Sequence, residues 1–112
     1  MKTDIRQEAD VTLVTVSETI DALTAPELTR TLSREMNEGH CRLVVDLTGV
    51  EFMSSAGLRT LLGGVKDSRT LGGDLRIASL NPGIDKVLKM SGFNNIARVF
   101  TSSADALASY RA

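Results

Sequence analysis

The sequence predicts an α/β fold built on a mixed, mostly parallel sheet of about five strands with about four helices. Three observations lead there. From about residue 11 onward, strand-like and helix-like segments alternate with short connections, the pattern of parallel strands joined by right-handed crossovers. The first two strand-like segments are separated only by Glu8-Ala9-Asp10, short enough for a hairpin and hence one antiparallel edge. The chain has 112 residues, which allows one domain, 1–112, and lets it bury about two thirds of its unfolded surface without disulfides or a metal.

Val11 to Val16 is β-rich, with Val11/Leu13 or Val14/Val16 alternating with threonines, and Ile5-Arg6-Gln7 reads as a weaker edge strand before it. Ala25-Pro26-Glu27 opens a helix. Thr24 or Ala25 is the expected cap, Pro26 suits the first helical position, and Glu27 faces the positive end of the dipole. Leu28, Leu32 and Met36 form its apolar stripe and Gly39 closes it. Leu43 to Leu47 is a short apolar run of the kind buried on both sheet faces, and Thr48 to Met53 reads as a loop.

Ser54-Ser55 is the natural N-cap pair of the next helix, in which Leu58, Leu61, Leu62 and Val65 share the inward face. That helix ends before Gly72-Gly73. Leu75 to Ala78 is a further strand, and Asn81-Pro82 opens a short helix with Ile84, Val87 and Leu88 inward, ended by Ser91-Gly92. A last strand falls within Ile96 to Phe100, and Ser102 or Ser103 caps a terminal helix through Leu107.

Hydrophobic residues make up 42% and charged residues 24% of the chain, an ordinary globular balance. Thirteen Lys+Arg against fourteen Asp+Glu leave a formal charge of −1 with no run of like charge, which argues against direct nucleic-acid binding or an anionic-membrane surface. Consecutive apolar residues never exceed three, so no membrane insertion is expected, and residues 1–20 lack the pattern of a signal peptide. The single Cys41 fits a reducing compartment, and a cytoplasmic location is expected.

Enzyme signatures are sparse. The one histidine, His40, precedes the 43–47 strand whereas Ser54 and Ser55 follow it, and five residues of strand span roughly 17 Å. His40 therefore cannot serve as a base for either serine. A nucleophile elbow requires G-x-S-x-G, and Met53 stands where the first glycine belongs. His40 and Cys41 lack two further ligands at metal spacing, so no metal is expected. Gly63-Gly64 and Gly72-Gly73 lack the context of a phosphate loop or dinucleotide fingerprint, and no cofactor is expected.

What remains is Phe52-Met53-Ser54-Ser55-Ala56-Gly57-Leu58, between the carboxyl end of a buried strand and the start of a helix, where sites of open α/β sheets gather. A capping serine and its neighbour would explain it. A serine here is also suited to carry a phosphate, because the free N–H groups of the first turn and the helix dipole accommodate an anion with little rearrangement.

The run Val44-Val45-Asp46-Leu47-Thr48-Gly49-Val50-Glu51-Phe52-Met53-Ser54-Ser55-Ala56-Gly57-Leu58 resembles the signature of the STAS domains, specifically the stand-alone bacterial anti-sigma factor antagonists. The resemblance extends upstream to Ile20-Asp21-Ala22-Leu23-Thr24-Ala25-Pro26-Glu27-Leu28 and downstream through Gly72 to Leu75 and Val87 to Phe93, nearly the whole chain in order. It implies a non-enzymatic module switched by phosphorylation. The unphosphorylated form binds an anti-sigma factor that is also a serine kinase, and a PP2C-type phosphatase restores it.

Anchored on Gly57-Leu58, the phosphoacceptor falls on Ser55, and the implied partner surface comprises Asp21, Met53, Ser54, Ser55, Ala56, Gly57 and Arg59. Three positions depart from the family pattern. Ser54 replaces an Asp and becomes a second candidate acceptor, Ala56 replaces a Ser or Thr, and Glu18 stands where a Gly is frequent. The alternative implied by the same resemblance is a STAS regulatory subunit of a membrane transporter complex. A serine enzyme using Ser55 ranks below both.

Overall fold

The computed structural model describes residues 1–79 and 81–111. Five strands, β1 (Lys2–Glu8), β2 (Val11–Ile20), β3 (Arg42–Met53), β4 (Asp74–Ala78) and β5 (Val99–Phe100), lie side by side in chain order. β1 pairs antiparallel with β2, and the remaining pairs are parallel. The helices are α1 (Ala25–Asn37), α2 (Ser55–Thr70), α3 (Pro82–Met90) and α4 (Ser103–Ala108), with single 3₁₀ turns at Phe93–Asn95 and Ser109–Arg111. The predicted fold class is the one observed.

Strand order dictates the layering. Parallel strands added successively in one direction through crossovers of one hand leave every connecting helix on the same face. Accordingly α1 (Leu28, Leu32, Met36), α2 (Leu61, Val65) and α3 (Ile84, Leu88) pack with Val14, Val16, Leu43, Val45, Leu47, Leu75 and Ile77 in the main core. The opposite face is left to α4, whose Ala106, with Leu107 and Tyr110, covers Val11, Leu13, Val44 and Ala78. Both alternations in β2 are thus used, one for each layer. Leu58, Leu62 and Val87 are half-buried at the margin of the main core.

Helix ends follow the local chemistry. Gly39 (φ 89°) and Gly72 (φ 86°) take the left-handed position after α1 and α2. The following His40 and Gly73 amides donate back to Glu35 O (2.9 Å) and Ser68 O (2.8 Å), closing both helices with the same motif. Asn81 caps α3 as expected, accepting from Gly83 N at 3.0 Å, while its Nδ2 donates to Val50 O at 2.6 Å and so ties that helix to β3. Ser102 caps α4. Tyr110 anchors the C-terminal segment, its hydroxyl lying 2.8 Å from both Leu43 O and Asp74 O, with the Arg76 guanidinium over the ring at 3.8 Å. Burial, with the Asp74 carboxylate, pushes the phenol far above its ordinary pKa. Tyr110→Phe removes this donor from a half-buried site and is expected to lower unfolding stability by about 1 kcal/mol, measured by urea denaturation.

The main difference from the sequence reading lies at residues 48–53. They are not a loop: β3 continues through Met53 because β2 also runs on, to Ile20, and the extensions pair as Ser17↔Gly49, Glu18↔Val50, Thr19↔Phe52 and Ile20↔Met53. Register shifts interrupt the ladder on either side of Glu18, which adopts φ 74°. Glu18 thus holds a left-handed backbone that glycine would adopt without strain, at a cost of about 1–2 kcal/mol. Glu18 also lies 3.5 Å from the Met1 ammonium.

Candidate functional site

The extended β2–β3 pair carries both site segments to the same end of the sheet. Ser54 N donates to Ile20 O at 2.9 Å, so the start of α2 is hydrogen-bonded to the residue that precedes Asp21. Beneath the turn, Gly57 is buried; a Cβ there would lie 2.6 Å from Met53 Cγ and 2.8 Å from Ile20 Cγ2. Only a residue without a side chain lets the first turn of α2 sit this close to both strands.

The two serines differ. Ser54 is half-buried and extended (φ −87°, ψ 176°), and its Oγ accepts from Ala56 N at 3.2 Å, the N-cap bond. Ser55 is the first residue of the helix and is exposed, as is Arg59 one turn on. Ala56 is half-buried between them. Met53 does not belong to the exposed surface: it is 4% accessible and points into the main core. As the last residue of a strand rather than of a loop, it obeys the period of two, and its neighbour Phe52 takes the outward direction at 56%.

Asp21 is brought beside the serines, but its carboxylate is engaged. Oδ1 accepts from Leu23 N (2.9 Å) and Thr24 N (3.1 Å), while Asp21 N donates to Thr24 Oγ1 (2.9 Å), a reciprocal pairing of the capping-box kind. The Thr24 hydroxyl donates back to Thr19 O at 2.9 Å. Thr24 is therefore the N-cap of α1 by position without capping through its side chain. Helix-like turns begin a turn earlier, and Asp21 does the capping. Asp21→Ala is accordingly expected to cost about 1 kcal/mol in a denaturant titration, more than the near-neutral change expected for a free surface carboxylate.

Sequence reasoning missed two apolar side chains. Leu23, in the β2–α1 turn, is 90% exposed, and Phe52 flanks the serines on the β3 side. Composition carries no signal for either, because an apolar residue in a presumed loop reads as core until the strand phase is known. Beside the serines an open groove of about 700 Å³ runs between α1 and α2, with Arg30 on one bank and Arg59 on the other. Neither arginine has an ion pair or hydrogen bond among the described residues.

His40 stands at the opposite end of β3, where its Nδ1 lies 2.9 Å from Glu35 Oε1. Glu38 is also near, at 3.9 Å, so carboxylates from the end of α1 surround the imidazole in a way the His40-Cys41 spacing did not reveal. Glu35 is buried, and Gln7 Nε2 also donates to it. Among the described residues no helix is long and apolar enough to cross a membrane.

The fold and sequence are similar to those of known proteins. The STAS domain profile matches residues 2–106. A Bordetella bronchiseptica protein bearing the name anti-sigma factor antagonist BtrV is 33% identical over 92 residues, covering 82% of this chain and 79% of the relative. The crystal structure of an anti-sigma factor antagonist from Mycobacterium paratuberculosis superposes with a TM-score of 0.91 at 26% identity, over 99% of this chain and 94% of that one. The Bacillus cell fate determinant SpoIIAA, solved in its phosphorylated form, shares the fold at 14% identity with a TM-score of 0.75, over 97% of this chain and 99% of that one. The chain belongs to the STAS domain family.

Proposed function

We propose that this protein is a non-enzymatic anti-sigma factor antagonist, switched by phosphorylation of Ser55. In its unphosphorylated form it binds an anti-sigma factor that is also a serine kinase and thereby frees the kinase's target. The kinase transfers the γ-phosphoryl group of ATP to Ser55 Oγ; the hydroxyl proton is lost, ADP departs and the complex dissociates. A PP2C-type phosphatase hydrolyses the phosphoserine and resets the protein.

The observation that carries this reading is the division of labour between the serines. Ser54 spends its oxygen on the N-cap and is half-buried, which leaves Ser55 exposed at the first helical position. A phosphate there faces the unsatisfied N–H groups and positive dipole end of α2, so modification changes the surface rather than the fold. Around it, Leu23 and Phe52 offer apolar anchors and Arg59 a cation with no ion pair among the described residues, a mix of groups typical of protein contact surfaces. Asp21 supports this surface by fixing the turn that presents Leu23. The names of the relatives agree with an antagonist of an anti-sigma factor.

Affinity purification from the source cells tests the assignment. An ATP-binding serine kinase of the anti-sigma type, recovered in a complex that dissociates when ATP is added, is the expected result. Recovery of a transporter permease or its ATPase instead would favour the regulatory-subunit alternative.

A further inference from the structure

We propose that Arg59 captures the phosphate of phosphorylated Ser55 as an ion pair along one face of α2, so that modification also withdraws from the partner surface the cation next to it. The proposal rests on the phosphoswitch reading above.

Residues four apart on a helix lie one above the other, with Cβ atoms about 5–6 Å apart. Ser55 and Arg59 are so spaced; both are exposed and both lie in the first two turns of α2. The buried positions Gly57, Leu61, Gly64, Val65 and Ser68 define the opposite face of the helix, which leaves the Ser55–Arg59 edge to solvent. Arg59 has no ion pair or hydrogen bond among the described residues, so nothing has to be broken before it swings to the phosphate. Its planar fork suits bidentate contact with phosphate oxygens, and a phosphate at the helix start with a cation further along the helix is also the sense the macrodipole favours.

Competing charges are few. Arg30 lies across the groove on α1, and Asp67 stands three turns down α2. Asp21, in the adjoining turn, is a carboxylate already hydrogen-bonded to the backbone. It repels the phosphate and acts in the sense opposite to Arg59.

The consequence is a two-part switch. Before modification the local face carries the single positive charge of Arg59, free to meet an acidic group on the partner. Afterwards the phosphate brings about −1.5 to −2 charges, and the guanidinium is turned toward it. The same event installs a repulsive group and removes an attractive one.

The test installs phosphoserine at position 55 during translation, so no kinase is needed, and titrates the ³¹P resonance of the intact protein. The second ionisation of phosphoserine, ordinarily near about 6, is expected to lie lower in this protein. It should rise by about half a unit in Arg59→Gln and stay in place in Arg30→Gln. Both variants change exposed side chains, and circular dichroism verifies the fold. Coincident titrations of the parent and Arg59→Gln would overturn the capture, as would an equal shift from Arg30→Gln. Either result leaves phosphorylation of Ser55 standing, and failure of every kinase to modify Ser55 would in turn leave the measured ion pair standing.

Discussion

Ser55→Asp is expected to lose the proposed kinase partner, which the parent and Ser55→Ala are both expected to hold, and all three proteins are expected to melt within a degree or two of one another. The separation of binding from stability follows from where the charge sits. At the first position of α2 a carboxylate meets the positive end of the helix dipole, which favours it by a few tenths of a kcal/mol up to about 1. At the partner interface the same charge must be desolvated or opposed, which costs several kcal/mol, enough to abolish a micromolar complex. Isothermal titration calorimetry alongside thermal denaturation reads both quantities. Loss of binding together with a large drop in melting temperature would mean that position 55 is part of the fold and not of the surface.

Gly57→Val is expected to show the contrary pattern, losing stability and binding together. Its Cβ must enter space occupied by Met53 Cγ at 2.6 Å and Ile20 Cγ2 at 2.8 Å, both in the main core. Relief requires the first turn of α2 to lift from the β2–β3 pair, stretching the Ser54 N to Ile20 O bond and moving Ser55. Overpacking of this kind costs about 1–3 kcal/mol. A lower urea midpoint with weaker partner binding is the outcome expected. A crystal structure of the variant showing Ser55 unmoved would contradict the role given to Gly57.

Much of this architecture was legible from local chemistry. Gly39 and Gly72 stop their helices where a left-handed residue is required, Asn81 and Ser102 cap as their side chains allow, and the spacing of Leu61 and Val65 marks the inward face of α2. Failures cluster where tertiary pairing overrides propensity. Thr48-Gly49 reads as a chain break, yet it is held in β3 by β2, which runs on beyond the point where its own β-rich composition ends. Once that extension is missed, the alternation of Phe52 and Met53 is lost, and Met53 is assigned to the surface that Phe52 in fact supplies.

The candidate site was legible in a similar, partial way. The position of Ser55 follows from the run before Gly57-Leu58, whereas the reason to prefer it over Ser54 is a hydrogen bond, Ala56 N to Ser54 Oγ. The reciprocal hydrogen bonds between Asp21 and Thr24 were equally out of reach. A carboxylate three residues before a threonine reads as an ordinary turn, and only the backbone path shows which amides it meets.

The central claim is that one serine carries the switch, and its most direct test is site-resolved mass spectrometry after incubation with the cognate kinase and ATP. The expected result is a single added phosphate on Ser55, absent from Ser55→Ala and removed by a PP2C-type phosphatase. Phosphate on Ser54 with Ser55 untouched, or none with any partner kinase, would contradict it.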